Sequence, residues 1–180
     1  MGGLITASYM QNEVSKDYYP EKVFLSSPAV SGAGGLGRFF KIAPMKLMTS
    51  LKALPLSVPL AGLLDLSKLS HDPRVYETYI RDSQNILKVH TKLFFEILAE
   101  SRDVFSRPLR INCDLFCTVG SEDGLVDAAS VEEYFVQIEK NAKFLKIDGG
   151  YHELHNEIDK FSDQYFSFLK NSILETLFNS

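Results

Sequence analysis

Two short stretches of this sequence put an acid and a histidine where they could work as a pair. The first is GSEDGLVD, Gly120 to Asp127, and the second is GGYHELHNE, Gly149 to Glu157. Each reads as the loop after the carboxyl end of a strand, which is where open α/β sheets place their sites. An acid after one strand and a histidine after the next is the order of a nucleophile–histidine–acid site. In such a site the carboxylate orients the imidazole and stabilises its protonated form, and the imidazole takes a proton from the nucleophile. Taken alone, Asp123 before Gly124 reads as a turn residue, and His152 alone as a structural or surface histidine. The pair, in this order and just past two strands, makes Asp123 the candidate acid and His152 the candidate base.

The other titratable residues read more simply. His155 is a helix-start residue or a neighbour of the site, Glu153 and Glu157 serve the positive end of the closing helix, and Asp127 is a helix cap. His71 and His90 read as solvated and incidental, and the sequence holds no coherent set of metal ligands. Cys113 and Cys117 lie four residues apart in a strand reading, ~13 Å and too far for a disulfide. They lack the partners of a zinc site and read as two reduced, buried thiols of an intracellular protein.

These loops need elements to hold them. Residues 2 to 13 read as a helix, and KVFLSSPAV, Lys22 to Val30, as a buried strand. SGAGGLG, Ser31 to Gly37, is a loop. From Arg38 to Asp103 no strand is expected. In that stretch Ser70 or Asp72 can cap a helix with Pro73 in its first turn, and Ile86, Val89, Leu93 and Ile97 recur at helical spacing as one apolar face. Beyond it the order is strand (Leu109 to Gly120), helix (Val131, Tyr134, Phe135 and Ile138 on one face), strand (Ala142 to Gly150) and a long closing helix capped by Asn156. Alternating strands and helices imply parallel strands joined by right-handed crossovers.

Composition narrows the classes of function. The chain has 180 residues, 45% of them hydrophobic and 23% charged, with a formal net charge of −4, and acidic and basic residues are mixed along it. That is the balance of one folded domain, and no basic stripe suggests nucleic acid. No charged segment followed by an apolar run marks a secretory signal. The most apolar stretch, Ile42 to Leu66, is broken by Pro44, Pro55, Pro59, Lys46 and Lys52, whereas a membrane span needs roughly 20 unbroken apolar residues. A cytoplasmic location is therefore expected. That stretch reads as a cap packed on the domain and as a surface that admits acyl chains or rests peripherally on a lipid interface.

GSEDGLVD and YHELHNE resemble the acid and histidine motifs of the monoacylglycerol lipases and lysophospholipases, within the serine α/β-hydrolases. FLSSPAV resembles the strand after the nucleophile helix of that family, and the ordered match runs over essentially the whole chain. The resemblance implies the C-terminal part of an α/β-hydrolase fold, with about three parallel strands, flanking helices and a helical cap insertion over residues 31–106 of a single domain spanning 1–180. It implies Asp123 as triad acid and His152 as triad base, no cofactor, and a fatty-acyl ester such as a monoacylglycerol or lysophospholipid as substrate. The family commonly has Ala and Arg where this chain has Glu122 and Gly124, which puts in question any ion pair bracing the acid loop.

The family's nucleophile elbow reads G-H-S-M-G-G, and MGGLI, Met1 to Ile5, is similar to the residues after its serine. By that resemblance Met1 supplies an oxyanion-hole N–H, and Gly2 and Gly3 lie where the helix start packs tightly. The expectation follows that this stretch lacks the nucleophile and is inactive alone. It also follows that the strand at Lys22 has an unpaired edge, open to an N-terminal hydrolase half or to a second copy of the chain. MGGLIT also satisfies the myristoylation pattern, with Thr6 at its last position. The elbow is the reading adopted, because the downstream motifs support it.

Overall fold

The computed structural model describes residues 1–34, 44, 46, 50, 57–60, 65–85 and 88–174. Helix α1 (Gly2–Asn12) buries Leu4, Ala7 and Met10, three residues apart, on one side of a sheet. Gly3 is tight there, since a Cβ would lie 3.1 Å from Pro28, but nothing lies within 4 Å of a Cβ at Gly2. Only one of the two glycines is thus required by packing.

Strand β1 (Lys22–Ser26) alternates in burial. Val23 and Leu25 face α1, and Phe24 faces the opposite layer, as the two-residue period of a strand requires. The strand stops at Ser26, short of the expected Val30. Ser27 has left the extended region, with φ of 44°.

The middle of the chain holds a small ladder that helical periodicity concealed. Strand β2 (Pro59–Leu60) pairs antiparallel with strand β3 (Val89–His90). Helix α2 (Pro73–Arg81) lies between them in sequence, and Asp72 caps it by accepting the Arg74 N–H at 2.9 Å. Helix α3 (Thr91–Val104) begins only after β3, so the apolar face expected through Val89 and Leu93 does not form. Leu93 is 41% exposed, and the buried face is Leu98, Ser101 and Val104. The ladder ends the helical phase at His90, and α3 starts a new one. Most of the Ile42 to Leu66 cap reading, and Ile86, lie outside the described residues.

Strand β4 (Asp114–Gly120) is buried from Leu115 onward, because both of its faces are covered. Leu115, Cys117 and Val119 join the α1 layer, while Phe116 stacks on Phe24 and meets Phe168 edge-on. Helix α4 (Ala128–Glu133) then widens into a π-helical turn over Tyr134–Ile138. Its closing bond runs from the Glu139 N–H to the Tyr134 carbonyl at 2.8 Å. The wider turn carries Glu139 inward, where its carboxylate accepts the Leu109 N–H at 2.7 Å, and leaves Ile138 38% exposed although it was expected on the buried face. The Tyr134 hydroxyl donates to the Arg107 carbonyl at 2.8 Å, and burial, then Glu139, raises its pKa.

Strand β5 (Lys143–Ile147) completes a three-stranded sheet of order β1–β4–β5, parallel throughout. Helix α5 (Asp159–Leu174) covers the second face through Phe161 and Tyr165. It starts after the expected cap: Asn156 sits in the turn Leu154–Asn156 and donates to Glu153 at 2.8 Å. Helices thus lie on both faces of a parallel sheet, the α/β architecture, and the carboxyl ends of β4 and β5 lie side by side. No helix among the described residues is long and apolar enough to cross a membrane.

Candidate active site

Asp123 follows β4 and His152 follows β5. Strand register brings the two loops together, because Gly120 pairs with Ile147. Their bases are stitched by main-chain bonds: the Ser121 N–H donates to the Ile147 carbonyl at 2.9 Å and the Glu122 N–H to the Gly150 carbonyl at 3.0 Å. Gly120 makes this approach feasible, since a Cβ there would sit 2.1 Å from the Gly150 oxygen. The Ser121 hydroxyl accepts the Gly149 N–H at 2.8 Å.

Asp123 Oδ2 lies 2.7 Å from His152 Nδ1. The carboxylate is fully buried, and the imidazole is 19% exposed. The other oxygen, Oδ1, accepts the Leu125 and Val126 N–H groups at 2.8 and 2.9 Å. The carboxylate is therefore fixed by its own loop before it meets the imidazole. An acceptor at Nδ1 assigns the ring proton to that nitrogen and leaves Nε2 as a proton acceptor.

The main chain of His152 is held as well. Its N–H donates to the Lys68 carbonyl at 3.1 Å, the Glu153 N–H to the Leu69 carbonyl at 2.7 Å, and the Ser27 hydroxyl donates to the His152 carbonyl at 3.1 Å. Ser27 is buried, at the end of β1, in the sparsely populated positive-φ region that often marks a functional site. Its hydroxyl is directed at the backbone of His152 and not at the imidazole.

Met1 stands at the start of α1. The Met1 carbonyl accepts the Leu4 and Ile5 N–H groups at the start of α1.

His71 is not incidental, and Glu157 does more than serve the closing helix, although its Oε2 accepts the Ile158 N–H at 3.2 Å just ahead of α5. Glu157 is a fully buried carboxylate. Its Oε1 accepts from His71 Nδ1 and from the Tyr151 N–H, both at 2.9 Å, and its Oε2 accepts the His71 N–H at 3.0 Å. Burial by itself would raise the Glu157 carboxyl, but the bonds from the His71 and Tyr151 backbones and the His71 ring hold it below its ordinary value. The His71 ring stacks on Tyr151 at 3.6 Å and on Phe161 at 4.9 Å. Sequence reading missed this arrangement because residues 71 and 157 are distant in the chain and are joined only by the fold.

The remaining candidates lie elsewhere. His90 meets the Ser57 hydroxyl at 3.2 Å on the surface, His155 is exposed, and Asp127 precedes α4 and holds the Ser130 hydroxyl at 2.5 Å. Cys113 and Cys117 are free, and burial pushes the Cys117 thiol well above its ordinary value, as expected of an unreactive core cysteine.

A parallel sheet with helices on both faces, and an acid–histidine pair at the carboxyl ends of adjacent strands, define the α/β-hydrolase class. The chain belongs to the Hydrolase_4 family, described as serine aminopeptidase, S33, whose model matches residues 1–159. Among solved structures it resembles the monoacylglycerol lipase of Paleococcus ferrophilus, at 19% identity and a TM-score of 0.76, over 95% of this chain and 64% of that one. It also resembles a soluble variant of the monoglyceride lipase of Saccharomyces cerevisiae, solved with a substrate analogue, at 14% identity and a TM-score of 0.72, over 96% of this chain and 61% of that one. The chain thus spans less than two thirds of either lipase. No curated protein matches it.

Proposed function

We propose that this chain carries the acid–base part of a serine ester hydrolase site that acts on fatty-acyl esters such as monoacylglycerols or lysophospholipids. The observation that carries this reading is the 2.7 Å contact between Asp123 and His152 at the carboxyl ends of two neighbouring parallel strands. In this role His152 Nε2 takes the proton of a serine hydroxyl as that oxygen attacks the ester carbonyl, and then returns it to the leaving alcohol. Asp123 holds the imidazole in the required tautomer and stabilises the imidazolium. The Met1 nitrogen is assigned to the oxyanion, as the resemblance of MGGLI to the family elbow implies; such a donor contributes several kcal/mol, about 2.7–4 in another hydrolase. No cofactor takes part.

The nucleophile is assigned to a serine at the position where the resemblance places the family elbow. In this reading the chain alone is inactive. The likeness to two lipases supports a fatty-acyl substrate, whose chain and any peripheral membrane contact are assigned to the cap reading, most of which lies outside the described residues. A second reading, a non-catalytic chain or one half of a split hydrolase, is favoured by β1, which among the described residues pairs on one side only.

A fluorophosphonate probe tests both readings. The 180-residue chain should remain unlabelled. A polypeptide extended with the N-terminal strands of a family sheet ending in a G-H-S elbow should be labelled at that serine and should hydrolyse monoacylglycerols, and His152→Ala should abolish both. Labelling of the unextended chain at a single serine, or indifference to His152→Ala, would overturn the first reading. An extended polypeptide that stays unlabelled supports the second.

A further inference from the structure

The two loops of the site are stitched at their bases, but at their tips one residue from another part of the chain touches both. Lys68 lies in the turn Leu66–Lys68, ahead of α2. Its carbonyl accepts the His152 N–H. Its ammonium donates to the Tyr151 hydroxyl at 2.8 Å, sits 4.1 Å above the Tyr151 ring and lies 3.8 Å from the Glu122 carboxylate. Its stem crosses Gly124 so closely that a Cβ there would lie 2.5 Å from Lys68 Cβ and 2.7 Å from Cγ. Lys68 therefore touches the residues on either side of Asp123, and His152 together with the residue before it. The segment around it is anchored by the Ser70 hydroxyl on the Asn156 carbonyl at 2.8 Å and by His71 on Glu157.

We propose that Lys68 is a positioning residue that holds the Asp123 loop and the His152 loop in register, and that Lys68, Glu122 and Gly124 form one coupled set. The proposal rests on the hydrolase reading only for calling that pair catalytic. The contacts explain why the three residues belong together. The positive charge of the acid loop is supplied from outside it by Lys68, Glu122 provides the counter-charge, and the lysine stem occupies the space a side chain at 124 would need. A surface ion pair alone would contribute little. The leverage comes from the packed stem, the ring contact and the main-chain bond acting at one residue.

The test is nuclear magnetic resonance of the folded chain, reading the solvent-exchange rate of the His152 Nδ1 proton, which reports the bond to Asp123 directly. Gly124→Ala and Lys68→Ala should each speed exchange roughly tenfold, within the range of coupling between contacting residues. The double variant should show less than the product of the two effects, because Lys68→Ala removes the Cγ and Cδ that the added methyl group meets and leaves only the Cβ contact. Lys68→Arg should retain slow exchange, and Lys68→Met, which keeps the stem but not the charge, should fall between. Additive effects of the two alanine variants, or lowered unfolding midpoints with exchange unchanged, would overturn the proposal. Should Gly124→Ala not fold, the Met and Arg variants decide it: equal exchange in both would overturn it. A chain in which the proton behaves as stated but the elbow-extended enzyme hydrolyses nothing would sink the hydrolase reading and leave this one standing.

Discussion

Asp123 divides its two oxygens between two tasks. Oδ1 closes its own turn on the Leu125 and Val126 N–H groups, and Oδ2 meets His152. Glu157 works similarly, joining the residue before His152 to His71. It makes a prediction at this scale. Because its folded pKa is depressed, its contribution is fully present above the unfolded glutamate value of about 4.3 and is lost as pH falls through the lower folded value. Glu157→Gln should therefore cost about 1.5–3 kcal/mol near pH 7, the range for bonds to charged groups. The gap to the unmodified chain should close in acid below about pH 4. Urea unfolding at a series of pH values measures it, and a pH-independent gap would contradict the assignment.

Among the elements, β4 and β5 do the positioning. Their parallel register ends with Gly120 opposite Ile147, and the loops leave the sheet at the same level. The approach of the Gly150 carbonyl to Gly120, within 2.1 Å of where a Cβ would stand, leaves no room for a side chain. Gly120→Ala should destabilise the chain by about 1–3 kcal/mol, as overpacking does, and should also perturb the His152 ring signals. Thermal unfolding together with imidazole resonances checks both parts. A stability loss with unchanged ring signals would mean that the loops do not depend on this contact. The π-helical turn after α4 belongs to the same scale: it brings Glu139 to the Leu109 N–H just ahead of β4.

On the scale of the molecule, β1 has a strand neighbour on one side only among the described residues. Sheet edges with unpaired backbone groups invite another chain. On the two layers that flank the sheet, Ile5 and Tyr9 of α1 are 60% and 49% exposed, and Phe166 and Ile173 of α5 are 49% and 56% exposed. Self-association through this edge is the expected outcome for the chain alone. Sedimentation equilibrium over a hundredfold range of concentration should show the mean mass rising above 20.3 kDa. A monomer throughout would mean that the edge is covered within the chain.

The local patterns that sequence carries well were the alternation of strands and helices, the capping of α2 by Asp72, and the glycine-marked loops after β4 and β5. These depend on neighbours within a few residues, where propensity and period act directly. From those loops alone Asp123 and His152 could be named as candidates, because a strand's end fixes where its loop emerges. What only tertiary structure decided was contact between segments far apart in the chain: the β2–β3 ladder that interrupts a helical period, Glu157 on His71, Ser27 on the backbone of His152, and Lys68 across Gly124. Each of these depends on a packed geometry that brings residues 29 to 125 positions apart into contact. No local periodicity encodes that distance, because burial and register are set by the whole sheet at once.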